Sequence, residues 1–288
     1  MPSISIVIPV YNTAKYLEAC IESLHNQTMS SDDYEIIMVE NNSTDGSADI
    51  IKKYATIRLL EEPRQGAYVA RNTGIKASRS EILAFTDSDS TVDPNWLTEI
   101  RESLASIDTD IVMGFVRVPE TSPSLSKLNA YRHVRNSFIF GSAKADLYFG
   151  FGGNMAVKKR VFDEIGFFDE SERGSDSLLN QQYAKHFSPR GIVYNARMGT
   201  VHLEADNLAV ILKKQMSYGH TGREHRRSEG RRWLSNSESR DVFRQTVESQ
   251  GYNWFEARLL AVILVLIRVF SRLGSIRSRM LGPSQDKS

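Results

Sequence analysis

Ile4-Ser5-Ile6-Val7-Ile8-Pro9-Val10-Tyr11-Asn12 decides the architecture. The run from Ile4 to Pro9 is short, β-branched, almost wholly apolar and closed by proline, which reads as a strand buried on both faces. Ala14 to Leu24 then places Leu17, Cys20, Ile21 and Leu24 at helical spacing, with Asn12 or Thr13 as the N-cap. Tyr34 to Val39 reads as a second strand, and Asn41-Asn42-Ser43-Thr44-Asp45-Gly46 is dense in turn formers before a helix from Ser47 to Tyr54. Ile57 to Leu60 and Ile82 to Thr86 add two strands, with a helix from Gly66 to Ala77 between them. This alternation predicts an α/β fold, a mostly parallel central sheet flanked by helices.

Downstream, the pattern predicts helices over Asn95 to Ala105, Leu128 to Phe140, Val157 to Ile165, Ser177 to Phe187 and Leu208 to Ser217. Strands are expected at Ile111 to Val118, Ile192 to Asn195 and Gly199 to His202, and Gly150-Phe151-Gly152-Gly153 interrupts the periodicity. There is no internal repeat. The expected division is a domain over 1–220 and a basic C-terminal helical extension over 221–288.

The 288 residues are 41% hydrophobic and 25% charged, a globular composition that argues against disorder. A net charge of +1 gives no field of the kind nucleic-acid binders show, so no nucleic-acid partner is expected. Charge is unevenly spread, however: residues 213–232 carry 7 basic and 2 acidic side chains. The single cysteine, Cys20, excludes an intrachain disulfide, and the first residues lack a signal-peptide pattern, so a reducing cytoplasm is the expected compartment. The longest unbroken apolar stretch, Leu259 to Ile267, is about half of the ~20 residues that cross a bilayer, so a spanning helix is not expected.

Ligands of such sheets bind beyond the carboxyl ends of the strands. Those ends carry Val10-Tyr11-Asn12, Glu40-Asn41 and Asp87-Ser88-Asp89. Asp87 and Asp89 stand two apart, so extended backbone turns both carboxylates to one side, suited to a divalent cation that bridges to phosphate oxygens. The same tripeptide also fits a solvated turn before Pro94. His202 fits either a structural histidine or an imidazole ligand, and the latter favours Mn²⁺ over Mg²⁺. Asp176 closes the acidic loop Glu170-Ser171-Glu172-Arg173-Gly174-Ser175-Asp176 and fits either an N-cap or a carboxylate that accepts a proton from an attacking hydroxyl. Arg71 fits a surface residue or a diphosphate contact. No Gly-x-Gly-x-x-Gly, P-loop, zinc-type cluster or Gly-x-Ser-x-Gly elbow is present, which disfavours dehydrogenase, nucleotide triphosphatase and serine hydrolase chemistry.

Five motifs in this order carry a resemblance. They are Ile6 to Asn12, Val39-Glu40-Asn41-Asn42-Ser43-Thr44-Asp45-Gly46, Gly66 with Ala70-Arg71-Asn72-Thr73-Gly74, Asp87-Ser88-Asp89, and Gly152-Gly153-Asn154-Met155. Together they resemble the family-2 inverting glycosyltransferases of the GT-A fold, in a non-processive bacterial form, over about residues 3 to 220. The resemblance implies a site for a nucleoside diphosphate sugar, UDP by default, formed by Pro9, Val10, Tyr11, Asn12, Glu40, Asn41, Arg71, Asp87, Ser88, Gly153 and Asn154. Val10, Tyr11 and Glu40 would line the base and ribose pocket, and Arg71 would approach the diphosphate. Asp89 would ligate a divalent cation, Mn²⁺ or Mg²⁺, together with His202, and Asp176 would be the catalytic base. The implied reaction is direct displacement at the anomeric carbon, the acceptor being a saccharide or a lipid-linked molecule of surface polysaccharide or glycolipid assembly.

The chain departs from the family pattern at three places. Glu40 replaces the usual aspartate, and Ser175 replaces the first acid of a Glu-Asp pair. Gln215-Met216-Ser217-Tyr218-Gly219 stands where processive synthases carry Gln-x-x-Arg-Trp, which points to the addition of one sugar or a few. The Ser175 departure keeps a second reading open, a catalytically inactive nucleotide-sugar-binding scaffold at the membrane. A sugar-nucleotide pyrophosphorylase needs a glycine-rich loop after the first strand, where this chain has Val10-Tyr11-Asn12-Thr13.

Arg258, Arg268, Arg272 and Arg279 fall within about 80° on a helical wheel, opposite much of the Leu, Ile and Phe. Three readings stay open for this helix: a peripheral contact with the inner face of the cell membrane, a cover for the chain's own core, and a homodimer contact. Residues 213–232, with His220, Arg223, His225, Arg226, Arg227, Arg231 and Arg232, fit either an anionic lipid-linked acceptor or a solvated loop.

Overall fold

The computed structural model describes residues 2–170, 174–216 and 232–281, with the side chains of 277–281 excepted. Residues 217–231 of the basic segment 213–232, the acidic Glu172 and the side chain of Arg279 therefore lie outside the described residues. The chain divides into two compact units, one formed by 1–117 with 149–203 and the other by 118–148 with 204–286.

The first unit is built on an eight-stranded sheet. In chain order its elements are β1 (Ile4–Val10), α1 (Ala14–His25), β2 (Tyr34–Glu40), α2 (Ser47–Ile51), β3 (Ile57–Glu61), α3 (Ala67–Ala77), β4 (Ile82–Thr86), β5 (Ser90–Val92), α4 (Trp96–Ser103) and β6 (Ile111–Arg117). After the excursion into the second unit come β7 (Asn154–Lys158), α6 (Arg160–Ile165), α7 (Ser175–His186) and β8 (Ile192–His202). The strand order is β3-β2-β1-β4-β7-β6-β8-β5. β3, β2, β1 and β4 run parallel, as the alternation predicts. β7 is antiparallel to both β4 and β6, β6 is parallel to β8, and β5 is antiparallel to β8.

Alternation along β1 explains why both faces are covered. Ile4, Ile6, Ile8 and Val10 pack with Leu17, Cys20, Ile21 and Leu24 of α1 and with Trp96, Leu97 and Ile100 of α4. Val7 faces the other way, against α3, where a Cβ on Gly74 would collide with its side chain. α3 thereby lies flat on β1 and β2, with Ala70 packed on Ile37 and Val39. Each such fully buried aliphatic side chain contributes about 1.5–3 kcal/mol to folding before entropy is counted.

Three elements differ from the sequence expectation. The helix expected from Val157 starts only at Arg160, because Asn154-Met155-Ala156-Val157 forms a central strand buried on both faces, which has no alternation to mark it. Gly199 to His202 continues the strand begun at Ile192, with a register shift opposite Gly114 and Phe115. The three-residue β5 is too short to give any periodicity.

The second unit is helical: α5 (Pro123–Gly141), α8 over 208–216, α9 (Asn236–Gln250) and α10 (Trp254–Leu281). Ser235 and Glu238 form a reciprocal capping box on α9. Asn253 and Glu256 bond each other's backbone N–H in the same way at the start of α10. Tyr131 of α5, Val242 of α9 and Leu260 of α10 form one buried cluster. Val118, Leu125, Leu128, Ala205, Ile211 and Ile263 form another. α10 runs on past the nine-residue apolar stretch and through Arg268 and Arg272, so its segment Trp254–Ile276, whose most apolar 18 residues have a mean hydropathy of 2.2, is long and apolar enough to cross a membrane by length and composition alone.

Candidate active site

At the carboxyl ends of β1 and β2 the two following loops are stitched together. Asn12, in the left-handed backbone region (φ 50°), accepts the Thr44 N–H on its Oδ1 at 2.8 Å, and its own N–H donates to Ser43 Oγ at 3.1 Å. The first N–H groups of α1 are capped from the other loop, Thr13 N donating to Ser47 Oγ and Ala14 N to Asp45 Oδ2. The capping expected from Asn12 or Thr13 is therefore supplied by Ser47 and Asp45. Glu40 curls its carboxylate back to accept the N–H groups of Asn42 and Ser43. Tyr11 is left 37% exposed at the strand end.

A buried network then fixes α3. Asn41 is 2% exposed; its amide donates to the carbonyls of Glu62 and Arg64, and its Oδ1 accepts the N–H of Gly66, the N-cap of α3. Glu62 accepts from Arg64 and from Thr73 Oγ1 of α3. The Arg64 hydrogen bond leads in holding the Glu62 carboxyl down to about 2, against the cost of burial. With α3 tied at its N-cap and at Thr73, Arg71 points inward at 5% exposure.

Arg71 is the hub. Its Nη2 lies 2.5 Å from Asp87 Oδ1, and its guanidinium lies 5.1 Å from the centre of the Tyr68 ring. Burial is the largest influence on Asp87 and pushes its carboxyl above the usual range, with Asp89 adding to it and Arg71 opposing it. The glycine-rich loop closes over these groups. A Cβ on Gly152 would sit 3.1 Å from the Arg71 guanidinium carbon, one on Gly153 would collide with Asp87, and one on Gly150 would collide with the Asp176 backbone. The loop lacks side chains where it must lie directly against three ionisable groups.

Asp176 is the second residue of α7, behind the N-cap Gly174. Its Oδ2 accepts the N–H of Gly152 at 2.6 Å and its Oδ1 that of Ser177 at 2.7 Å. Tyr68 also hydrogen-bonds to its side chain. Burial above all, and then the Asp176 charge, push the Tyr68 phenol well up, so it remains a donor. Asp176 is thus bound to the loop that covers Arg71 and does not serve as the cap of its own helix. The neighbouring Ser175 Oγ is buried with no hydrogen-bond partner among the described residues.

β5 and β8 place the last pair. Ser90 is registered with His202, and Asp89 Oδ1 lies 3.2 Å from His202 Nδ1. Two ligand atoms held side by side on one divalent ion stand about 3 Å apart, so a carboxylate and an imidazole at this spacing fit such an ion. Glu204 follows two positions after His202 as a further oxygen donor in the sequence. Beneath them the Cys20 thiol, pushed up chiefly by burial, reaches the Asp87 carbonyl at 3.7 Å.

Among the residues expected from the sequence, Tyr11, Asp87, Asp89 and His202 lie at strand ends, Gly153 on the covering loop, Arg71 within α3 and Asp176 in the first turn of α7. Val10 turns its side chain into the core, Ser88 accepts from Thr13 at 2.9 Å, and Asn41 is used up in the network above. Asn154 is fully buried, accepting from Trp96 Nε1 and donating to the Met198 carbonyl, both at 2.9 Å. It therefore braces the sheet beneath the loop. Tyr68, Gly150 and Gly152 were not singled out as site residues by the sequence reasoning. Tyr68 stands three positions before Arg71, so the two share a face of any helix that holds both.

The model of one family, described as Glycosyl transferase family 2, matches residues 5–166. Glycosyltransferase AglE of Haloferax volcanii is 36% identical over 175 residues, 58% of this chain and 56% of the relative. Poly(ribitol-phosphate) beta-N-acetylglucosaminyltransferase TarP of Staphylococcus aureus is 32% identical over 196 residues, 64% of this chain and 58% of the relative. The chain spans little more than half the length of these two curated relatives. Of solved structures, the mannosyltransferase PcManGT of Pyrobaculum calidifontis, in complex with GDP-Man and Mn²⁺, aligns with a TM-score of 0.66 at 17% identity, covering 98% of this chain and 88% of that one. S. aureus TarS 1-349 in complex with UDP-GlcNAc aligns with a TM-score of 0.58 at 17% identity, covering 99% and 77%. The shared architecture is the GT-A fold.

Proposed function

We propose that this chain, which belongs to glycosyl transferase family 2, moves a sugar from a nucleoside diphosphate donor to a hydroxyl of a saccharide or lipid-linked acceptor, inverting the anomeric carbon. The observation that carries the reading is the Gly150-Phe151-Gly152-Gly153 loop, whose backbone lies against Arg71, Asp87 and Asp176 together. A nucleotide-sugar donor is further supported by the GDP-Man and UDP-GlcNAc of the two structural neighbours. UDP is the favoured carrier, in line with the second of these. Polysaccharide or glycolipid assembly is the corresponding process.

In this reading the Asp176 carboxylate takes the proton of the acceptor hydroxyl as its oxygen attacks C1 of the donor sugar. The C1–O bond to the diphosphate breaks, and its electron pair leaves with the nucleoside diphosphate. Tyr68 and the N–H groups of Gly152 and Ser177 hold the carboxylate in place, which converts binding into orientation. Arg71 is oriented by Asp87 and presents its remaining guanidinium edge to negative charge. Tyr11, exposed at the end of β1, offers an aromatic face to the base. Asp89 and His202 would hold a divalent cation, Mn²⁺ ahead of Mg²⁺ for an imidazole-containing set. When bound, such an ion supplies positive charge to the leaving diphosphate.

A second reading, nucleotide-sugar binding without turnover, is favoured by one observation: Ser175 places a buried hydroxyl, unpaired among the described residues, where the family carries an acid. The experiment for the donor site is a thermal-shift titration with UDP, GDP and dTDP, with and without Mn²⁺, on wild type and Asp89→Ala. A ligand at ~100 times its dissociation constant stabilises the native state by about 2.7 kcal/mol. One nucleotide that stabilises only with metal, and only when Asp89 is present, supports the site. No stabilisation by any of them refutes it.

A further inference from the structure

Within the second unit α10 is apolar nearly all round, and its own unit covers only one side. Leu260 and Ile263 are fully buried on that side, and Glu256 pairs there with Lys127 at 2.9 Å. On the other side Phe255, Leu259, Val262, Leu266, Val269, Leu273 and Ile276 recur at alternating spacings of four and three, which draws a single stripe along the helix. Phe255 is 76% exposed, Val262 54% and Leu273 46%, and Val265 beside the stripe is 56% exposed.

The charges on this exposed side are of one sign. Arg258, Arg268 and Arg272 run along one edge of the stripe, and none has an ion pair among the described residues. The helix opens with Trp254 and Phe255, both largely exposed, and the Arg258 guanidinium stacks on the Trp254 ring at 3.7 Å. An aromatic start, an apolar stripe and an arginine edge match the interfacial layer of a bilayer, where acyl chains give way to headgroups.

We propose that this face of α10 rests on an anionic phospholipid surface, with the stripe at the acyl boundary and the three arginines at lipid phosphates. A helix that crossed the membrane would have to expose to lipid the side that holds Glu256 against Lys127 and Leu260 against Tyr131 and Val242. A second copy docked along a four-three stripe is normally matched by opposite charges beside the seam. This edge offers only arginines.

The test is sedimentation of the full chain with phosphatidylcholine vesicles and with mixed phosphatidylcholine–phosphatidylglycerol vesicles, at low and high salt. Wild type should bind the anionic vesicles and be released by salt. The double variant Val262→Asp with Val269→Asp should lose binding. The triple variant Arg258→Gln, Arg268→Gln, Arg272→Gln should bind at least tenfold more weakly, since each basic residue near an anionic surface adds to the attraction. All five side chains are exposed, and unchanged melting temperatures would confirm that the variants fold. No binding to anionic vesicles, equal binding to both vesicle types, or full binding by either variant overturns the assignment. A vesicle-independent dimer abolished by the double aspartate variant, without vesicle binding, would give the face to a second copy.

Discussion

Arg71 Nη2 lies 2.5 Å from Asp87 Oδ1, and the side-chain-free backbone of Gly152 and Gly153 closes over both groups. The pair joins α3 to the end of β4, so it is structural as well as functional. Arg71→Met leaves Asp87 with Asp89 as its near charged neighbour. Removing one partner of a fully buried pair costs ~3–5 kcal/mol. The Asp87 side chain is 38% exposed, so a loss of about 1–3 kcal/mol is expected here. Urea unfolding measures it, and the nucleotide-induced thermal shift should vanish in the same variant.

Gly153→Ala should remove activity more than stability. The added methyl collides with the Asp87 carboxylate, and relief requires moving the carboxylate or the loop. A displacement of that order at reacting groups costs ~100-fold in rate. Gly141→Ala is the control, because nothing lies within 4 Å of the position at the end of α5. Steady-state transfer rates and melting temperatures for the two variants should separate, with only Gly153→Ala impaired in turnover.

Tyr68→Phe deletes the hydroxyl that bonds to Asp176 and leaves the ring between Arg71 and Phe168, whose ring centre lies 5.4 Å away. The expected outcome is a fall of roughly ten- to hundredfold in kcat with donor KM little changed, since a hydrogen bond to a charged carboxylate contributes ~1.5–3 kcal/mol. A change confined to KM would contradict the positioning role.

Glu62 gives a pH signature. Its folded carboxyl is held to about 2, led by the Arg64 hydrogen bond, against 4.5 for the free group. A depressed carboxylate contributes stability that is fully present above the unfolded value and is lost as pH falls through the folded one. Glu62→Gln should therefore destabilise the protein at neutral pH, and the difference from wild type should shrink between about pH 4.5 and pH 2. Chemical denaturation at stepped pH follows it.

The first half of the chain was legible because β1 to β4 are short apolar runs separated by helices with clear spacing, and Asp87-Ser88-Asp89 stood at a strand end. β7 escaped the sequence reading, which starts a helix at Val157, because Met155, Ala156 and Val157 are buried on both faces and carry no period of two. Tyr68 was invisible for a different reason: its role depends on Asp176, 108 positions away, and no local pattern encodes that meeting. The glycines of 150–153 were noticed as a break in periodicity, whereas their purpose needs the three side chains they cover. α10 itself was legible, since Arg258, Arg268, Arg272 and Arg279 fall on one helical face, but its apolar length was undercounted because an unbroken apolar run stops at Arg268, while a helix tolerates an arginine on its exposed side.

The central claim is that Asp176 is the base of a sugar transfer, and Asp176→Asn tests it most directly, since asparagine keeps the shape and accepts the Gly152 N–H but cannot take a proton. The measurement is single-turnover transfer from the nucleotide sugar whose carrier stabilises the wild type, alongside the nucleotide-induced thermal shift of both proteins. The account predicts a rate at least ~100-fold lower with the thermal shift retained. Transfer by Asp176→Asn at the wild-type rate, or nucleotide binding by the wild type without turnover on any saccharide or lipid-linked acceptor, would contradict it.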